Sequence, residues 1–294
     1  MSHAMIIINR ARVRELSRFR HQCCLAARSA GWEPPSFAET SPADHTLGLA
    51  RDAVAAGARL VVAAGGDGTV RACAHALAGT GVPLAIVPRG TANLAARALG
   101  LPSRLDAALA AGFGGRDRRI DLARADGMLF AAMAGIGLDA AVVDGTPEAL
   151  KRHLGWLAYA AGGVTRLAGR RRMFTLRLDG GPPLARLARS VVVGNVGLLP
   201  GGFALLPDAR LDDGLLDVAI LAPAGLAGWG LVARRVLTGS RYDDPNLERY
   251  RARRVEIEAA AELPREVDGE VIAPGRSLTV TLRPGALLVR VPGR

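Results

Sequence analysis

Lysine is almost missing: Lys151 is the only one among 38 basic residues, so arginine carries the positive charge. With that lysine placed after a leucine, no G-x-x-x-x-G-K-[ST] phosphate loop can be assembled. Cysteine is scarce as well. Cys23, Cys24 and Cys73 do not have zinc-site spacing, and neighbouring Cys23 and Cys24 do not readily bridge each other, which fits a reducing cytoplasm. The five histidines are scattered and form no H-E-x-x-H helix, and no G-x-S-x-G elbow occurs. Aromatic residues make up 4% of the chain and no nucleic-acid-binding module is visible, so nucleic acid is not an expected partner.

Long apolar runs are also lacking. The longest of note, Val218 to Ala233, has 16 residues and is broken by Pro223 and three glycines, too short and too interrupted to span a bilayer. The N-terminus does not show the charged-then-apolar pattern of a signal peptide. The expectation is a soluble cytoplasmic protein able to touch the inner membrane surface. Half of the 294 residues are hydrophobic, enough for one large or two ordinary cores. The net charge of +11 favours acidic partners, but an arginine bias of this kind reflects genome composition about as often, and charge alone selects none.

The first ~120 residues alternate strand-like and helix-like segments. "MIIIN" (5–9), "ARLVVAA" (58–64) and "VPLAIV" (82–87) read as strands. Helices precede Gly31, Gly57, Gly79 and Gly100. Such alternation predicts a parallel sheet covered by helices, with ligands at the carboxyl ends of the strands. Beyond "RRIDLAR" (118–124) short strand candidates dominate, including "MFTLRLD", "SVVVGNV", "LLDVAIL", "RVEIEA", "SLTVTL" and "ALLVRV". Turn dipeptides Asp179-Gly180, Asp213-Gly214 and Pro284-Gly285 separate many of them, which predicts an antiparallel sandwich with helices near 148–169 and 224–239.

"AAGGDGTVRA" (63–72) falls at one of those strand ends. Gly65, Gly66 and Gly68 let backbone N–H groups approach an anion, and the helix beginning near Thr69 directs its dipole there. Asp67 would repel a bare anion; it makes sense beside Mg²⁺, a water or a ribose hydroxyl. "PRGTANLAAR" (88–97) repeats the design on the next strand. Two such turns on adjacent strands favour a phosphate site over a pair of ordinary helix caps.

These blocks resemble the diacylglycerol kinase catalytic family, in its bacterial soluble lipid-kinase branch, related to sphingosine kinases and more distantly to NAD kinases. The resemblance rests on "GGDGTV" (65–70), "PRGTANLAARALGLP" (88–102), "IDLARADGMLFAAMAGIGLDA" (120–140), "LPGGFALLPDARLDDGLLDVAIL" (199–221) and "EVDGEV" (266–271), so it runs over nearly the whole chain. It implies an α/β plus β architecture: a three-layer α/β nucleotide-binding domain similar to NAD kinases at 1–123 and a β-sandwich at 124–294. The last ~20 residues would pack back on the first domain, with the active site in the cleft between the two.

The resemblance also implies a reaction, transfer of the ATP γ-phosphoryl group to a lipid hydroxyl, diacylglycerol before others. Asn9, Gly65, Gly66, Asp67, Gly68, Thr69, Gly90, Thr91 and Asn93 would surround the nucleotide. Asp268 would be the general base, and Glu270 would hold Mg²⁺ or orient Asp268. A separate Mg²⁺ would take the Asp213 carboxylate and the carbonyls of Arg210 and Leu215. Three positions depart from the family pattern: the first loop is "NRARVR", keeping only Asn9, and Ala72 and Leu94 replace acids. A kinase of a soluble acceptor and a weakened nucleotide- or lipid-binding paralogue therefore stay open, as does a homodimer. The segment 148–180, with Lys151, Arg152, Trp156, Tyr159, Arg166 and Arg170 to Arg172, reads either as a basic amphipathic helix for a lipid surface or as an ordinary helix packed on the sandwich.

Overall fold

The computed structural model describes residues 3–40, 46–137, 170–199, 202–242 and 244–293. The amphipathic helix expected within 148–169 lies outside the described residues. By internal contacts the chain divides into two units, Met1–Leu122 with Pro284–Arg294, and Ala123–Arg283.

The first unit is a parallel sheet with helices on both faces. Strands β1 (Ala4–Asn9), β2 (Ser36–Thr40), β3 (Leu60–Gly65) and β4 (Leu84–Pro88) lie in the order β2-β1-β3-β4. The pairings are parallel throughout, as strand–helix–strand crossovers demand. Helices α1 (Leu16–Ser29) and α5 (Leu105–Gly114) cover one face, where Ile6, Ile8, Val62, Val87, Phe19 and Phe113 share a core. Helices α2 (Thr46–Ala55) and α3 (Asp67–Leu77) pack on the strands from the other face, where the alternate residues Ile7, Val61, Ala63 and Ile86 are buried. A short helix α4 (Leu94–Ala98) follows β4.

The second unit is antiparallel and sandwich-like. It contains β6 (Met128–Phe130), β7 (Met133–Ile136), β8 (Arg172–Leu178), β9 (Leu184–Ala188), β10 (Ser190–Gly194), β11 (Leu216–Leu221), β12 (Leu247–Ala252) and β13 (Arg254–Val267). Strands β5 (Arg116–Ala125) and β14 (Glu270–Val291) begin in one unit and end in the other. β12, β11, β10, β7, β13 and β14 are successive neighbours, and β8 pairs with β13 and β9. Phe130, Phe174, Leu176, Val193, Val218 and Ile257 belong to its core. One helix, α6 (Gly225–Thr238), lies between β11 and β12. No helix among the described residues is long and apolar enough to cross a membrane.

Two local expectations need correction. The helix before Gly31 was expected to fill the twenty residues after β1; the structure spends 10–15 on a turn, with Arg12 N–H donating to the Asn9 carbonyl. Pro284-Gly285 does not separate two strands, because β14 runs through it. Gly285 takes φ 57° there and donates its N–H to Asp121 Oδ1 at 2.7 Å, so the buried Asp121 replaces a ladder partner.

Candidate active site

Register brings four chain segments to one edge of the first unit. Asn9 pairs with Thr40 and Gly65 with Pro88, at the carboxyl ends of β1 to β4. Gly65 is forced by packing: a Cβ there would lie 2.4 Å from Thr69 Oγ1. Thr69, itself buried, accepts a hydrogen bond from Asn9 Nδ2 at 3.4 Å, tying the first loop to α3. Asn9 Oδ1 takes the N–H of Ala11.

At Gly68 the situation is reversed. A Cβ at Gly68 would meet nothing within 4 Å, although glycine weakens a helix relative to alanine. Packing therefore does not explain this glycine; an open approach to the first turn of α3 does. The N-cap of α3, Gly66, provides no side-chain hydrogen bond to the helix's first N–H groups, which by geometry have no intrahelical acceptor. A bare helix start of this kind suits a phosphate.

The second loop is locked against the first. A Cβ on Gly90 would lie 2.6 Å from the Gly66 Cα and 2.8 Å from Asn93 Oδ1. Asn93 takes the left-handed conformation at φ 48°, and its amide closes the turn by accepting the Gly90 N–H at 2.9 Å and donating to the Gly90 carbonyl at 2.8 Å. Asp67 completes the lock: Oδ2 accepts the Asn93 N–H at 2.9 Å and Oδ1 the Leu94 N–H at 2.7 Å. Asp67 thus caps α4 from another helix, a task its motif did not disclose. Thr91 stands exposed on the loop. Thr40, buried at the end of β2, is a polar residue at this edge that sequence reasoning missed. Arg10, one of the arginines beside Asn9, donates to the Val13 carbonyl and pairs with Glu39.

In the second unit Asp268 and Gly269 form the tight turn joining β13 to β14, with φ 50° and 79°. Both positive angles match the two-residue hairpin turn that Asp-Gly favours. The Asp268 carboxylate is heavily used: Oδ2 accepts the Ala131 N–H at 3.0 Å, and Oδ1 accepts those of Ala132 at 2.9 Å and Met133 at 3.1 Å. An ionised carboxylate offers about four lone-pair sites, so little is left for a proton. Glu270, across the turn, is exposed. Glu266, two residues before Asp268 and paired with Gly135, was not singled out by sequence; burial, and then the Asp268 charge, push its pKa up.

The loop 208–215 precedes β11. Asp213 Oδ1 accepts the Leu215 N–H at 3.1 Å. Asp217 pairs with Arg251 at 3.0 Å, yet its Oδ2 is buried without a hydrogen-bond partner, and burial raises its pKa. Such an orphaned oxygen, within electrostatic reach of Asp213, fits a hard cation. No cluster of three or more metal-ligating His, Cys, Asp or Glu side chains occurs among the described residues, so most of any shell would be carbonyl and water. The cysteines take no part: burial pushes the Cys23 and Cys73 thiols up to about 12.

Comparison with known proteins agrees with this construction. The diacylglycerol kinase catalytic domain family matches residues 3–125, and the YegS C-terminal NAD kinase beta sandwich-like domain matches 132–291. A protein of Pseudomonas fluorescens named "Probable lipid kinase YegS-like" is 38% identical over 270 residues, covering 91% of this chain and 88% of its own. The "Diacylglycerol kinase" of Bacillus subtilis is 33% identical over 278 residues, covering 92% and 90%. A diacylglycerol kinase structure from Bacillus anthracis superposes with a TM-score of 0.76 at 20% identity, over 99% of this chain and 96% of that one. An NAD kinase from Archaeoglobus fulgidus, solved with ATP, gives 0.54 at 13% identity over 99% and 93%, a likeness of fold. The chain belongs to the diacylglycerol kinase family, among its YegS-like lipid kinases, and is a phosphotransferase.

Proposed function

We propose that the protein transfers the γ-phosphoryl group of ATP to a lipid hydroxyl, with diacylglycerol as acceptor and phosphatidic acid as product. The observation that carries this reading is the start of α3, where Gly68 leaves open space beside the first helix N–H groups and the N-cap, Gly66, has no side chain to bond them. Those N–H groups receive the nucleotide phosphates, and Gly66, Gly90 and Asn93 hold the two loops in register. Thr69 and Asn9 brace the floor, and Thr40 and Thr91 offer hydroxyls at the same strand ends.

Glu270 is the general base in this proposal, and Asp268 is the positioning residue. Sequence resemblance pointed to Asp268 as the base; its three backbone N–H partners favour the exchange of roles. Glu270 removes the acceptor proton as the hydroxyl oxygen bonds to the γ-phosphorus, and the bond from that phosphorus to the β–γ bridging oxygen breaks, releasing ADP. Mg²⁺ bound with the nucleotide supplies neutralisation of the phosphate charge. A second Mg²⁺ would be held by Asp213 and the carbonyls of Arg210 and Leu215, and would supply positive charge that steadies the loop before β11.

Leu94 does not argue against activity, because Asp67 organises the second loop through the Leu94 backbone rather than its side chain. The test is an acceptor panel with γ-labelled ATP: dispersed diacylglycerol, monoacylglycerol, a sphingoid base and NAD. Label in phosphatidic acid is the expected result. Label in the NAD product alone overturns the lipid assignment.

A further inference from the structure

Nine large hydrophobic side chains are exposed among the described residues, and six of them belong to α6, the loop that follows it, and the paired strands β8 and β9. Leu226, Leu231 and Leu237, exposed by 62%, 43% and 51%, stand on the outer side of α6. Gly228, Val232 and Val236 form its buried seam, one every four residues. Tyr242, just past the helix, is 82% exposed. Met173 and Leu187 are cross-strand partners on β8 and β9, exposed by 45% and 51%. An ordinary surface helix would put charge outward; α6 contains no acidic residue and puts Arg234 among the leucines.

Arginines join the two apolar areas. Arg171 and Arg189 both donate through Nε to the Pro223 carbonyl, at 3.3 and 3.1 Å, two residues before α6 begins. Arg171 lies just before β8, two residues from Met173, and Arg189 just after β9, two residues from Leu187. Two guanidinium groups meeting on one neutral oxygen repel each other; burial, and then the Arg171 charge, lower the pKa of Arg189. Among the described residues, Asp244 near α6 pairs with Arg235 at 2.7 Å and Glu248 near β9 with Arg186 at 2.9 Å. Exposed Arg170 and Arg172 add to the positive side.

We propose that the outer face of α6 together with the Met173–Leu187 pair docks onto an anionic lipid bilayer, with Arg171, Arg189 and Arg234 meeting the headgroups. A bilayer interface is what this combination fits, since apolar side chains enter the acyl boundary while arginines stay among anionic headgroups. The inference rests on the lipid-kinase reading, which requires the enzyme to reach an acceptor dissolved in a membrane. It places docking on a helix and strand pair that no catalytic assignment uses.

The experiment is co-sedimentation of the full chain with phosphatidylcholine vesicles, with and without phosphatidylglycerol, at low and high salt. Wild type is expected to bind the phosphatidylglycerol vesicles and to release them in salt. The triple variant L226S/L231S/L237S should lose on the order of tenfold in partitioning, and R171Q/R189Q should lose the preference for anionic lipid. All three proteins should phosphorylate a short-chain diacylglycerol dissolved as monomers at equal rates. Undiminished vesicle binding by both variants overturns the docking face even if the kinase is active. A halved sedimentation mass in the leucine variant, with vesicle binding intact, assigns the face to a second copy and equally overturns it. Failure of wild type to phosphorylate the dissolved acceptor, with α6-dependent vesicle binding retained, removes the kinase reading and leaves the docking face standing.

Discussion

Replacing Asp67 separates two readings of the glycine-rich motif. If its carboxylate chiefly caps α4, the loss appears in the protein without ligand. Asp67→Ala deletes two hydrogen bonds, of 2.9 and 2.7 Å, and leaves the Asn93 and Leu94 N–H groups to water. A charged hydrogen bond is worth about 1.5–3 kcal/mol and a helix cap about 0.5–2 kcal/mol; water reaches this half-buried pair, so the lower values apply. The expected cost is about 2 kcal/mol, a fall in Tm of roughly 4–8 °C for a unit of this size. Asp67→Asn keeps one acceptor oxygen and should lose about half as much. The assay is urea unfolding in the absence of nucleotide and Mg²⁺, followed by Mg·ATP titration of the same samples. Unchanged apo stability in Asp67→Ala with weakened Mg·ATP binding would refute the cap and return Asp67 to the metal.

Glycine substitutions should split stability from binding. Gly90→Ala forces a Cβ against the Gly66 Cα and Asn93 and should cost about 1–3 kcal/mol, measured by urea unfolding. Gly68→Ala meets no neighbour, so apo stability should hold or rise by up to about 1 kcal/mol while nucleotide affinity falls in a titration. Unchanged affinity in Gly68→Ala would deny the open approach its purpose. Glu266 supplies a pH test. Its folded-state pKa is raised, so the folded protein holds that proton more tightly than the unfolded chain. The stability it contributes is complete below the ordinary glutamate value of 4.5 and is lost as pH rises through the folded-state value. Thermal melts across that range should show Glu266→Gln losing this slope; an identical slope would assign it to other groups.

Strands β1, β3 and β4 of the first unit were legible because each is a short apolar run. Helix α3 could be read from Val70, Cys73, Ala74 and Leu77 alone. Strand β2, "SFAET", was not legible: it lies at the sheet edge and only its last residue is fully buried. Strands β9 and β12 hid for a related reason, since arginines and glutamates interrupt their alternation. Pro284-Gly285 misled because a proline–glycine pair signals a turn unless a distant acid, here Asp121, satisfies the exposed N–H.

The site shows the same limit. Glycines can be found in sequence, but the reason for each cannot: Gly65 and Gly90 are crowded and Gly68 is not. The roles of Asp67 and Asp268 depend on N–H groups 26 and more than 130 residues away, which no local pattern carries.

The most direct test of the account is transfer of labelled phosphate from ATP to diacylglycerol in mixed micelles by wild type, Glu270→Gln and Asp268→Asn, with Mg·ATP affinity measured on each. Wild type should yield labelled phosphatidic acid, and Glu270→Gln should fall by about 10²–10⁴ in kcat with nucleotide binding retained. Asp268→Asn should keep a larger share of that rate while losing thermal stability. Full turnover in Glu270→Gln, with activity abolished in a stably folded Asp268→Asn, would contradict the assignment and restore Asp268 as the base.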